Sequence, residues 1–381
     1  MIPMNDRANA ESASASNPFP KRPTWFAAPT RFLVIAAAAI GFTLPESARA
    51  HDTARASTKT QLSAATGWTY QLQGLDLELA VRDAADVLVI DHSMDGTAEQ
   101  ILAADDVEAL KLKPDGSRRL VVSYMSIGEA ESYRYYWDKN WTTGQRSEAV
   151  PGNPDAQVSK LNVAAADTCG ATDCSNDTTT SVAPVKARIP KLNGAPSWLH
   201  HENVQWKGNY YVRFWEPEWQ NIIFGTPDSY LDRIIYAGFD GVYLDRADIY
   251  AYWETVRSSS EDDMVDFIAR LSTYAKERNP DFLVILQNAE ELASHQDMRD
   301  AIDSVAKEDL LYGIDHTEAA NRPVEIATSI RHLKRAQASG LPIFVVEYLS
   351  DTNKVENAKQ RLVELGFVAT FASRELDALT E

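Results

Sequence analysis

The chain repeats one unit. A short run of aliphatic and β-branched residues is followed by a polar stretch of helical period. The runs are DVLVID (Asp86 to Asp91), RLVVSYMSIG (Arg119 to Gly128), YYVRFW (Tyr210 to Trp215), DGVYLD (Asp240 to Asp245), FLVILQN (Phe282 to Asn288), AIDSVAKEDLLY (Ala301 to Tyr312), LPIFVVEY (Leu341 to Tyr348) and GFVATFASR (Gly366 to Arg374). Most do not alternate with polar residues, which marks strands buried on both faces, as in a parallel sheet. Helical stretches lie between them: TAEQILAADDVEALK with Thr97 as cap, the second half of Pro217 to Gly238, Ser260 to a stop at Pro280, Val324 to Gly340, and TNKVENAKQRLVELG ending at Gly366. Eight strands alternating with helices predict an α/β fold, a (β/α)8 TIM barrel. A doubly wound open sheet is the alternative, but no GxGxxG follows the first run. At 381 residues the chain holds one barrel of about 250 residues with additions.

One segment breaks the rhythm. Residues 142–197 form a long insert between the second and third runs, rich in Ala, Thr, Asp, Pro and Gly. Following a strand's C-terminal end, it is expected to overhang the mouth as a lid or subsite wall, or to be a decorative loop. It carries both cysteines, Cys169 and Cys174. In an exported chain such a close pair suggests a local disulfide. Two thiols without a neighbouring histidine are a poor metal site.

The N-terminus reads as a leader. Arg31 precedes FLVIAAAAIGFTL (Phe32 to Leu44), and PESARA follows. These are the parts of a secretory signal peptide over residues 1–50, cut before His51; an uncleaved anchor is the alternative. The apolar run is short for a membrane span, so no membrane association is expected after removal. A polar, flexible arm, 51–67, is then expected to lead into a barrel domain, 68–381. The protein is expected to be exported, periplasmic or extracellular. Its net charge is −18, and −20 once the leader's five bases and three acids are set aside. Such a surface argues against nucleic acid and anionic lipid and suits a neutral or cationic substrate.

In a barrel, chemistry sits at the C-terminal ends of the strands. Those ends carry Asp91, Glu129 just beyond Ser126, Trp215, Asp245, Gln287-Asn288, Glu308, Glu347-Tyr348 and Arg374. Carboxylates and amides bind sugar hydroxyls and aromatic rings stack on pyranose faces. Paired carboxyls are what glycoside hydrolysis requires. The seven histidines are scattered, only His200 and His201 being adjacent, which disfavours a metal hydrolase. Neither a GxSxG elbow nor a P-loop occurs. No cofactor is expected, and a polysaccharide is the expected partner.

Asp245 ends an apolar strand, so catalysis is the better reading than capping the next turn, with Asp248 as a supporting acid. Asn288 is read as binding a hydroxyl or orienting an acid. Asp91, Tyr124, Glu129, Trp215, Glu347 and Arg374 are candidate pocket residues. Glu129 could instead pair with Arg134, and an inward Arg213 would need an acid such as Glu347. Glu290 and Glu291 start a helix, where acids suit the positive dipole end; either could stand in for Glu308.

The phrases SYMSIGEAESYRYYW, YYVRFWEPEWQNIIFG, GFDGVYLDRADIYAYW, LQNAEEL, VAKEDLLYG, FVVEYLSD and GFVATFASRELDAL, in this order, resemble the endo-α-1,4-polygalactosaminidase family of glycoside hydrolases, particularly its bacterial branch of exported barrels. The resemblance spans about Trp68 to Leu379. It implies a (β/α)8 barrel that hydrolyses α-1,4-linked galactosamine-containing polymers with two catalytic acids, matched by Asp245 in GFDGVYLD and Glu308 in VAKEDLLYG. The 142–197 insert departs from the family pattern. A non-catalytic polysaccharide-binding barrel and a hydrolase of another glycan remain the alternatives.

Overall fold

The computed structural model describes residues 57–142 and 194–379. The leader, most of the insert and the Cys169–Cys174 pair lie outside the described residues.

Strands β1 (Trp68–Gln71), β2 (Val87–Ile90), β3 (Leu120–Ser126), β7 (Gly241–Asp245), β8 (Leu283–Gln287), β9 (Ser304–Glu308), β10 (Ile343–Glu347) and β11 (Val368–Phe371) form one eight-stranded sheet in that order. Every neighbouring pair is parallel. Across the seam, the Trp68 indole N–H donates to the Val368 carbonyl at 3.1 Å. The Leu72 and Gln73 amides donate to Leu376 O at 2.8 and 3.0 Å. The sheet is thus drawn round into a (β/α)8 barrel.

Two apolar layers follow from the period of two along each strand. Trp68, Tyr70, Val122, Tyr243, Ile285 and Phe344 pack together inside the barrel. Their neighbours Leu88, Val121, Leu244, Val284 and Val345 face outward, against Phe267, Leu271, Leu333 and Leu362 of the helices. Those helices include Ser260–Arg278, Pro323–Ala338 and Thr352–Leu365. The last begins on Asp351, whose side chain accepts from the Asn353 and Lys354 amides, and ends on Gly366 at φ 69, a left-handed stop that glycine adopts freely.

Seven of the eight apolar runs are barrel strands. The eighth, Tyr210 to Trp215, is not. Strand β6 (Asn209–Val212) lies antiparallel between β4 (Glu129–Glu131) and β5 (Leu199–Glu202), in a separate three-stranded sheet after β3. The missing barrel strand is β1, whose four residues WTYQ bring two aromatics and two polar side chains. The Thr97 stretch is also shorter than its pattern. Its helix covers only Ala104–Leu110, and Thr97 instead donates through its amide and hydroxyl to Asp95.

Candidate active site

The same alternation decides which side chains reach the mouth. On β7, Tyr243 is inside the barrel and Asp245 leaves from the same face two residues on. On β8 and β9 the corresponding pairs are Ile285 with Gln287 and Ala306 with Glu308. Tyr124 on β3 and Tyr348 just past β10 belong to the interior layer. Tyr124, Asp245, Gln287, Glu308 and Tyr348 line one cavity of about 1740 Å³.

Each acid is held by a tyrosine. The Tyr124 hydroxyl donates to Asp245 Oδ2 at 2.7 Å, and the Arg246 amide donates to Oδ1 at 2.7 Å. The Tyr348 hydroxyl donates to Glu308 Oε1. Asn288 clamps the other side, donating from Nδ2 to Oε2 at 3.0 Å and accepting from the Glu308 amide at 3.1 Å.

The backbone turns sharply beyond these strands. Arg246 (φ 63), Asn288 (φ 52), Ala289 (φ 46) and Asp309 (φ 51) follow β7, β8 and β9 directly. They are four of the six non-glycine residues with positive φ among the described residues. Each such conformation costs about 1 kcal/mol or more, so surrounding packing must enforce it. Such strain concentrates at sites where side-chain direction matters.

Electrostatics raise both acids. Burial pushes Asp245 up to about 8; the Arg246 cation and the Tyr124 hydroxyl oppose this, while Glu308 and Asp248 add to it. Burial also raises Glu308, against the Tyr348, Asn288 and Gln287 donors and with the Asp309 charge. The Glu308 charge is part of what raises Asp245, so ionisation of Glu308 disfavours ionisation of Asp245.

A model of glycoside-hydrolase family GH114 matches residues 178–381. An uncharacterized protein of Methanocaldococcus jannaschii is 33% identical over 329 residues, covering 82% of this chain and 77% of that protein. The chain belongs to glycoside-hydrolase family GH114. Uncharacterized proteins of Thermotoga maritima and Deinococcus radiodurans are 29% and 28% identical, covering 77% and 85% of this chain and 75% and 85% of theirs. The glycoside hydrolase domain of PelA from Pseudomonas aeruginosa shares the fold, with a TM-score of 0.51 at 17% identity over 83% of this chain and 98% of that one.

This GH114 glycoside hydrolase gathers most of the candidate residues around its cavity. Asp91, Tyr124, Glu129, Asp245, Asn288, Glu308 and Arg374 line it. Several arrive already paired. Arg134 forks onto Asp91 at 2.8 and 2.6 Å and reaches Glu131 Oε2 at 2.6 Å. Although burial pushes Asp91 up, the Arg134 cation and the His92 bond more than offset it, and Asp91 sits well below the usual carboxylate range. Glu129 therefore does not pair with Arg134; it accepts from Asn203 at 2.9 Å and meets Arg246 at 3.1 Å. Arg374 forks onto Asp309 at 3.0 and 2.8 Å, above the Tyr348 ring.

Two candidates are not in the cavity lining. Glu347 belongs to the opposite parity from Val346 and Tyr348, so it faces the helix layer, fully buried. It accepts from the Leu311 and Tyr312 amides at 2.7 and 3.2 Å, pinning the loop after β9. Trp215, beyond the antiparallel β6, packs edge-on against Phe214 and Trp253, each at 5.2 Å. Arg213 does not meet Glu347 either; it donates to the Ser197 carbonyl and lies 5.5 Å from the Trp253 ring centre.

The sequence places Tyr348 and Gln287 at strand ends but gives neither a role, although the step of two from Val346 and Ile285 marks both as inward. Arg246 gave no comparable signal. A second group of charges lines the same cavity. Lys307 meets Glu290 at 3.3 Å, and Tyr250 donates to Glu291 at 2.6 Å. Burial and the Glu290 charge push Glu291 up to about 7. Among the described residues no group of three or more His, Cys, Asp or Glu is arranged to hold a metal ion, and no helix is long and apolar enough to cross a membrane.

Proposed function

We propose that this glycoside hydrolase is exported and cleaves an α-1,4-linked galactosamine-containing exopolysaccharide, with Asp245 and Glu308 as its catalytic carboxyls. The observation that carries the reading is that both acids leave the interior face of the barrel at one mouth, each bonded to a tyrosine hydroxyl. Strands β7 and β9 flank β8, so their backbones lie about 9–10 Å apart. A carboxyl separation of about 5–5.5 Å is that of a retaining enzyme, which is the proposed course.

Glu308 protonates the leaving glycosidic oxygen while Asp245 attacks the anomeric carbon or stabilises its positive charge. Glu308 then takes a proton from the water that releases the sugar from Asp245. In the free protein, the rise of Asp245 to about 8 keeps its carboxyl protonated near neutral pH. A cationic amino sugar, or the oxocarbenium-like charge, favours the Asp245 carboxylate, and the proton is then carried by Glu308. Asp and Glu outnumber Lys and Arg in the cavity lining, which favours a cationic polymer. The sequence resemblance supplies the galactosamine class, and the leader supports export.

The test is reducing-end release from partially deacetylated α-1,4-galactosaminogalactan. Activity in the wild type, abolished in folded Asp245→Asn and Glu308→Gln, supports the pair and the substrate together. Retained activity in either variant removes that residue from catalysis. Release from a different glycan alone replaces the substrate and keeps the pair.

A further inference from the structure

Tyr133 is both exposed and immobilised, an unusual combination for a large ring. It is 43% exposed and lines the cavity. Its hydroxyl donates to Glu131 Oε1 at 2.6 Å. The Arg134 guanidinium carbon lies 4.9 Å from its ring centre. One ring edge rests on Gly96, where an added Cβ would come within 2.7 Å of Cε2. Gly96 sits at φ 79, so a side chain there is disfavoured twice over.

These restraints have a common foundation. The buried Arg134 is fixed by Asp91 and Glu131, and its guanidinium carbon also lies 6.0 Å from the ring centre of Tyr124, the residue bonded to Asp245. One cation thus ties the exposed ring to the residue that holds an acid at the mouth. A ring already fixed loses little conformational freedom on binding, and its open apolar face suits the C–H face of a pyranose. The cavity exceeds the roughly 300–1,000 Å³ of small-ligand pockets, leaving room for sugars beyond the two flanking the acids.

We propose that Tyr133 is a preorganised stacking platform for a pyranose ring of the polymer, forming a subsite beside the Asp245–Glu308 mouth. The inference rests on the glycan-hydrolase reading of that mouth but not on which glycan it is. The test is affinity electrophoresis of the full chain through gels holding galactosaminogalactan, chitosan, dextran or galactan. It uses Asp245→Asn to prevent cleavage, alone and combined with Tyr133→Leu or Tyr133→Phe, with folding checked by circular dichroism. The glycan that retards the parent should bind the leucine variant roughly five- to tenfold more weakly, the loss expected for removing one apolar contact face. The phenylalanine variant keeps the ring and should stay close to the parent. Equal retardation of the leucine variant and the parent overturns the platform. Retardation by none of the glycans overturns it as well. Retardation by a glycan lacking galactosamine, lost in the leucine variant, upholds the platform and refutes only the substrate assignment.

Discussion

Glu347→Gln tests whether this acid belongs to the fold or to the chemistry. Burial pushes the folded-state pKa of Glu347 up to about 8, with Asp309 adding and the Leu311 and Tyr312 amides opposing. The unfolded chain releases that proton near its ordinary value of 4.5. Between pH 5.5 and 7.5 the native state therefore holds more protons than the unfolded state, and stability falls as pH rises. Each pH unit costs about 1.4 kcal/mol, so this window removes on the order of 3 kcal/mol. Glutamine does not titrate, and that loss disappears. It also turns an NH2 group toward one of the two backbone donors, a constant cost of roughly 1–3 kcal/mol. The two stability curves should cross, with wild type the more stable at pH 5.5 and the variant gaining ground by pH 7.5. Asp245 and Glu291 are present in both proteins, so the difference isolates Glu347. Urea unfolding followed by tryptophan fluorescence at three pH values gives the midpoint and slope for each. Parallel pH dependence in the two proteins would refute the assignment, and so would abolition of glycan hydrolysis in folded Glu347→Gln.

Tyr348→Phe removes a donor that favours ionised Glu308, so the Glu308 pKa should rise further and the basic limb of the pH–rate profile should move upward, with a roughly tenfold fall in kcat. An unmoved profile would mean that Tyr348 does not tune Glu308. Gly128→Ala puts a Cβ against the Arg246 carbonyl and the Ile249 side chain, and the Arg246 amide holds Asp245. The variant should lose more than tenfold in activity and roughly 1–3 kcal/mol in stability, read by thermal unfolding beside the reducing-end assay; normal values in both would show that the segment after β7 yields without consequence.

The sequence alone determined the repeating architecture, because a strand buried on both faces must be apolar throughout and a surface helix must carry a 3.6-residue period. It also brought Asp245 to a strand end, since the residue closing an apolar run lies at one rim of a parallel barrel; Glu308 lies inside its run, and the family resemblance singled it out. Tertiary structure decided which run joins which sheet. Tyr210 to Trp215 is as β-prone as any barrel strand, but its partners are β4 and β5, and pairing is a property of two segments rather than one. WTYQ became a barrel strand because Trp68 and Tyr70 fill the interior against Tyr243 and Phe344. The facing of Glu347 was legible in its alternation with Val346 and Tyr348, while its rise to about 8 needed the dry layer around it. Arg134 shows the limit most plainly. Glu129, five residues away, was the partner the sequence offered, but the chain returns Asp91 from 43 residues back, and the fork-shaped cation takes both of its oxygens.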